Sequence, residues 1–212
     1  MNRRNFLAGL GLLVAGCARA VPVAGQTPEV PVPVDFLRRE FLNRRTSVPP
    51  EEVRSLRASG YVLDSESEVT AAVEVLVAAA QDSMGFEISI GEATPLPIAS
   101  PEPGASEWFV TYPTWAGAAG FYQEHAEGIF AIGNRVFVVE VAGLDPELLT
   151  SVLSVQVDLI REKSGSLADV LPGEADVPGE LDLYREQRPD GSFDPDGNRL
   201  DDDWPWWPNP LQ

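Results

Sequence analysis

Residues 129–143 read IFAIGNRVFVVEVAG: two apolar runs rich in Ile, Val and Phe that meet at Gly133-Asn134. Gly and Asn tolerate positive φ, so the pair suits a two-residue turn, and apolar runs on either side of such a turn predict a β-hairpin. Reading forward, LDPELLTSVLSVQVDLIREKSG opens with Asp145 as a cap, Pro146 at the first helical position and Glu147 in the first turn. It closes on Arg161 and Lys163 before Gly165, a basic last turn that complements a helix dipole. Leu148, Leu149, Val152, Leu153, Val155, Gln156 and Leu159 cover more than one stripe, which predicts a helix packed tightly on the sheet.

Reading backward, Thr114–Gly128 mixes alanines and a Thr cap with three glycines; the alanines favour a helix, with a strand from Phe121 onward as the rival. WFVTY from Trp108 predicts a strand ending at Pro113, and the four prolines of EATPLPIASPEPGASE predict a loop. FEISI alternates Phe86, Ile88 and Ile90 toward one face, as a half-buried strand does. Val69, Ala72, Val73, Leu76, Val77 and Ala80 keep helical spacing up to Gly85, with Ser65 or Asp64 as cap. PPEEVRSLRASG predicts a short helix stopped by Gly60. DFLRREFLNRRTS predicts another, capped by Asp35, its phenylalanines in the core and its arginines either solvated or resting on anionic headgroups. Together these readings give an α+β domain over residues 35–171, an antiparallel sheet with helices packed on one face and extended or disordered segments at both ends.

Composition narrows function. The chain carries a formal net charge of -18, against the Lys and Arg excess that nucleic-acid binding needs. It has one histidine, His125, and one cysteine, Cys17, so a His/Cys zinc site cannot be assembled and any hydroxyl-imidazole-carboxylate triad must use His125. His125 reads as a polar surface residue with no assignable acid partner. No G-x-G-x-x-G or G-x-x-x-x-G-K-[ST] string occurs. Carboxylate chemistry stays open, as a hydrolase pair such as Glu124 and Glu140 or as oxygen ligation of a hard cation.

The first residues set location. Arg3 and Arg4 precede an apolar run from Phe6 to Gly16, long enough for a secretory leader and too short to span a bilayer. Arg3, Arg4, Asn5, Phe6, Leu7 resembles the twin-arginine export signal. Val14, Ala15, Gly16, Cys17 resembles the bacterial lipobox, whose cysteine receives diacylglycerol and becomes the first residue of the mature protein. These resemblances imply a signal peptide over residues 1–16, a lipid anchor at Cys17 and a Pro-rich spacer to residue 34, with the domain tethered outside the cytoplasm. Membrane lipid is then the first partner, and an envelope protein or glycan a further one.

The tail, residues 172–212, is poor in aliphatics and rich in acids, Gly and Pro, which places the end of the domain near Leu171. Its string DPDGNRLDDD resembles the aspartate-rich calcium loops of thrombospondin type 3 repeats, and less closely those of dockerins and EF-hands. The resemblance implies Asp194, Asp196, Asn198, Asp202 and Asp203 as oxygen ligands, with Gly197 at the turn. Arg199 departs from the pattern by setting a positive charge beside the cation, and the plain alternative is an acidic, solvated linker. DWPWWPNP then sets Trp204, Trp206 and Trp207 between prolines, a stiff aromatic strand that docks on its own domain, a partner or a sugar. The expected role is binding or structural at the cell envelope, with no cofactor beyond calcium. A carboxylate-dependent hydrolase and a calcium-dependent adhesion module are the rivals.

Overall fold

The computed structural model describes residues 31–43, 53–86, 88–89, 93–98, 106–116, 121–187 and Leu211. The hairpin sits at its centre: β6 (Phe121–Ile132) and β7 (Arg135–Gly143) pair antiparallel from Ile132↔Arg135 outward, and Gly133 turns the chain at φ 57. Asn134 ties the turn to the neighbouring segment of the same sheet, its backbone carbonyl accepting from the Leu63 N–H at 2.9 Å and its side-chain amide donating to the Leu63 carbonyl at 2.7 Å.

The remaining strands are β1 (Asp35–Leu42), β2 (Val53–Val62), β3 (Ile88–Ser89), β4 (Thr94–Pro95), β5 (Glu107–Ala116) and β8 (Asp182–Gln187). They form one sheet in the order β3-β5-β6-β7-β2-β1-β8, with β4 also on β5, and every pairing is antiparallel. The helices are α1 (Val69–Phe86), α2 (Pro146–Glu162) and the single turn α3 (Leu167–Val170). This is the α+β class with an antiparallel sheet that the sequence predicts.

The helices divide between the two faces, whereas the sequence predicts packing on one. Leu149, Leu153, Val157 and Ile160 of α2, with Leu167 and Val170 of α3, pack on Leu56, Ala58, Phe109, Ala126, Phe130, Phe137, Val139 and Val141. Val69, Ala72, Val73, Leu76 and Ala80 of α1 pack on Phe36, Tyr61, Ile129 and Val136, which alternate with the first set along the same strands. Both faces of the central strands are therefore buried.

Both helix starts follow their sequence signals. The Asp145 carboxylate accepts from the Glu147 and Leu148 N–H groups at 3.0 and 3.3 Å. Ser65 and Glu68 form a capping box ahead of α1, around a 3₁₀ turn over Glu66–Glu68. Not every apolar residue of α2 is covered: Val155 is 59% exposed and Leu148 stands at the surface too.

Four sequence readings are corrected. DFLRREFL is strand β1, not a helix: Leu37 and Phe41 enter the α2 core and Phe36 the α1 core. A strand buried on both faces loses its period of two. Residues 53–62 are strand β2, and Gly60 is not a helix stop; a Cβ there would stand 2.7 Å from Leu167 Cδ2. Thr114–Ala116 end β5 and Phe121–Gly128 begin β6, where the sequence predicts a helix. Gly128 is needed because a Cβ would meet the Phe109 ring at 2.6 Å. Pro113 does not end β5, since it falls between the short partners β4 at Val110–Thr111 and β3 at Thr114–Trp115.

The sheet also runs past Leu171, where the domain was expected to close. Leu181 is buried in the α2-face core, β8 pairs with β1, and Arg39 holds Glu186 at 3.1 Å. Arg39 further donates to the Leu171 and Pro172 carbonyls at 3.0 and 3.2 Å, tying the link between α3 and β8 down. The acidic composition of 172–187 hides a single edge strand that needs little apolar surface of its own.

Candidate functional site: a buried charged stripe on the α1 face

The pleat of the sheet places the site. On the α1 face of β6 and β7, Ile129, Val136 and Val138 line the hairpin end, and the same face carries Gln123, His125, Glu127 and Glu140 further along. Register continues the polar stripe across the sheet: Tyr112 opposite His125 and Thr114 opposite Gln123 on β5, Arg57 opposite Glu140 on β2, and Glu40 opposite Arg57 on β1. Five strands thus contribute to one buried row of ionisable and hydrogen-bonding groups. Buried charge is costly unless paired, so the pairing is the informative part.

The row is a chain of contacts. Arg38 pairs with Glu40, and Glu40 lies 3.6 Å from Arg57 Nε. Arg57 Nη1 donates to Glu140 Oε2 at 3.4 Å. His125 Nδ1 meets Glu140 Oε1 at 2.9 Å, while its Nε2 lies 3.0 Å from Thr114 Oγ1 and 3.1 Å from the Gln123 amide nitrogen. Nδ1–H donates to the carboxylate, and Nε2 is held between the hydroxyl and the amide, so both ring nitrogens have polar partners. The imidazole stacks on Tyr112 with centroids 5.0 Å apart at 7°, and the Tyr112 hydroxyl donates to Glu127 Oε2 at 3.1 Å.

The two carboxyls at the middle have opposite fates. Glu127 and Glu140 are register partners. Burial first, then the neighbouring Glu140 charge, raises the Glu127 carboxyl to about 8, more than the Tyr112 hydrogen bond and Arg57 offset. Burial acts on Glu140 in the same direction, but Arg57 above all, followed by the His125 hydrogen bond and charge and by Arg38, holds it well below the usual carboxylate range. Two like groups thus keep one proton, on Glu127, and one charge, on Glu140.

This arrangement corrects two expectations. His125 is not a surface residue: it is 5% exposed and its acid partner is Glu140. Glu124 and Glu140 cannot act together, because they stand on opposite faces of the sheet; the carboxyl that faces Glu140 is Glu127. Thr114, His125 and Glu140 do stand in the order hydroxyl, imidazole, carboxylate. Thr114 is 1% exposed, however, so a substrate carbonyl cannot reach its Oγ1 in this conformation.

Among the described residues, no three His, Cys, Asp or Glu side chains are placed to hold a metal ion. Arg3, Arg4, Cys17, Asp194, Asp196, Asn198, Asp202, Asp203, Trp204, Trp206 and Trp207 lie outside the described residues. The signal that sequence reasoning missed is alternation: His125, Glu127 and Ile129 recur every second residue, which a strand puts on one face.

No family model matches the chain, and no curated protein matches it. Among solved structures it is similar to the crystal structure of PA94 from Pseudomonas aeruginosa, a protein of unknown function. The two are 11% identical, the match covers 60% of this chain and 82% of that one, and the TM-score is 0.34. A likeness at that level bears on neither the site nor the function.

Proposed function

We propose that this chain is a lipid-anchored protein of the bacterial cell envelope, exported by the twin-arginine route, acylated at Cys17, and carrying a domain that binds a ligand or partner outside the cytoplasm. The observation that carries the reading is the place of the lone cysteine, directly after a basic pair and an apolar run too short to cross a bilayer. Among the described residues no helix is long and apolar enough to cross one either. Residues 18–30 can serve as the spacer, since Pro31 is buried and the Val34 N–H donates to the Val62 carbonyl; at ~3.1 Å per residue when extended, they would reach on the order of 40 Å from the lipid.

The tail offers the contacts for binding. Trp204, Trp206 and Trp207 supply aromatic area to an envelope protein or glycan, and Asp194, Asp196, Asn198, Asp202 and Asp203 supply oxygens to calcium. Leu211, a few residues on, is wholly buried beside α1, which supports a tail held against its own domain at its far end. Millimolar calcium should slow proteolysis between residues 188 and 210; unchanged cleavage kinetics would remove calcium from the reading.

Mass spectrometry of the protein from its native membrane tests the anchor. We expect a mature chain beginning at a diacylglycerol-modified Cys17, and Cys17→Ser should leave the membrane fraction with its leader uncleaved. Recovery from the cytosol with an intact leader and a free thiol would overturn the proposal.

A carboxylate-dependent hydrolase is the second reading, favoured by the facing Glu127 and Glu140 with their split protonation, the division of labour that acid and nucleophile or base need. Its test is turnover of chromogenic glycosides that disappears in both Glu127→Gln and Glu140→Gln. The absence of turnover at any pH between 4 and 9 would eliminate it.

A further inference from the structure

Glu127 and Glu140 are direct register partners on adjacent strands, so their side chains leave the same face of the sheet side by side, with Cβ atoms about 4.5–5.5 Å apart for such pairs. The groups around them come from every layer. β5 presents Tyr112 and Thr114, β6 His125, β2 Arg57, and β1 Arg38 and Glu40. The described α1 side chains turned to the sheet are apolar: Val69, Ala72, Val73, Leu76 and Ala80. Arg57 and His125 both touch Glu140, whereas Glu127 accepts a hydrogen bond from the neutral Tyr112 hydroxyl and the Arg57 charge acts on it too weakly to offset burial and the Glu140 charge. The geometry therefore leaves one carboxyl compensated and the other dependent on remaining uncharged.

Two positions along β6, on the same face, Ile129 enters the core that α1 builds with Phe36, Tyr61, Leu76 and Leu211. Leu211 is fully buried there, next to the end of the chain. A disturbance at Glu127 is thus one side chain away from the layer that seats the C-terminal leucine.

We propose that Glu127 and Glu140 hold a single proton between them and act as an alkaline-sensitive latch: while the proton stays, the α1 layer and Leu211 are closed on the sheet, and its loss loosens them. Once both carboxyls are ionised, two like charges face each other in a low-dielectric interior. Admitting water relieves that repulsion; Glu140 is already partly solvated, so it is the buried Glu127 that gains water, as the α1 layer beside Ile129 parts from the sheet. The raised Glu127 carboxyl places the transition at mildly alkaline pH.

Amide hydrogen exchange on the full chain, corrected for the intrinsic base-catalysed rate, tests the latch. Between pH 6 and pH 9.5, protection at Ile129 and Leu211 should fall by about tenfold or more in the natural protein, as local opening becomes cheaper than global unfolding. Glu127→Gln keeps a neutral group of the same shape and should show no fall. Equal loss of protection in both proteins, or no loss in the natural one, overturns the proposal. Should the variant fail to fold, carbon-13 NMR of the side-chain carboxyls in the natural protein decides: Glu127 titrating above pH 7 supports the latch, and Glu127 titrating among ordinary carboxyls refutes it.

Discussion

Arg57 is the residue on which the charged stripe turns. It lies 3.6 Å from the buried Glu40 and 3.4 Å from the half-buried Glu140, and it is the largest influence keeping Glu140 ionised against its desolvation. Arg57→Met fits the stem and removes the charge, leaving a half-buried carboxylate with His125 beside it and Arg38 further off. Removing one side of a half-buried ion pair costs about 1–3 kcal/mol, because the stranded charge stays behind with water reaching only part of it. Urea unfolding at neutral pH should show a loss of that order, and Arg57→Met/Glu140→Gln should recover part of it, since the double change strands less charge. A double variant no more stable than the single one would mean that Glu140 does not depend on Arg57. His125 shows why such a role is hidden from sequence. A lone histidine between Glu124 and Ala126 announces no partner, and Glu140, which its Nδ1 meets at 2.9 Å, lies 15 residues away across a hairpin. The hairpin itself is legible; the register that aligns its acids is not.

At the scale of elements, sequence speaks clearly where one signal acts alone. Asp145-Pro146-Glu147 caps α2 as composition dictates, and Gly133-Asn134 turns the hairpin. Asp145→Ala should lower stability by about 1 kcal/mol in denaturant unfolding, the usual worth of a cap whose oxygen accepts from the first helical N–H groups. Legibility fails for β1 and β2, where both faces are buried. Phe36, Leu37 and Phe41 serve two different cores, and the interposed Arg38 and Arg39 are bound to Glu40 and Glu186, so the apolar spacing imitates a helix. Glycine misleads for a related reason: Gly60 reads as a helix stop and Gly128 as a weak position in a helix, yet both stand in strands, where neighbouring side chains fill the space of a Cβ. The two should respond differently to alanine. At Gly60 the obstacle is the mobile tip of Leu167, at Gly128 the rigid Phe109 ring wedged against Phe130 at 6.0 Å. Gly128→Ala should cost about 1–3 kcal/mol by overpacking and Gly60→Ala less. Equal losses in thermal melts of the two variants would contradict the ring as the cause.

Across the whole molecule, the net charge of -18 and the buried pair both make stability depend on pH, and they can be separated. The Glu127 carboxyl is raised in the fold from its ordinary value of 4.5 to about 8, so the folded chain holds a proton that the unfolded chain has released. The stability it contributes is complete below pH 4.5, declines as pH rises through that interval, and is gone above 8. Glu140, Asp169 and Asp176 are lowered, so theirs is present above the unfolded carboxylate values and lost as pH falls below them. The two trends together place maximal stability on the acid side of neutrality, near the ordinary carboxylate range. Repulsion among surface acids also weakens the fold as pH rises, but that part acts through water, where the Debye length shrinks to about 3 Å at 1 M salt. The buried pair is beyond such screening. Melting temperature measured from pH 4 to 9 should therefore fall toward alkaline pH in dilute buffer and keep a clear part of that fall in 1 M NaCl. Glu127→Gln in 1 M NaCl should be nearly flat over the same range. A slope that vanishes in salt for the natural protein would assign the whole effect to the surface and leave the interior pair without influence on stability.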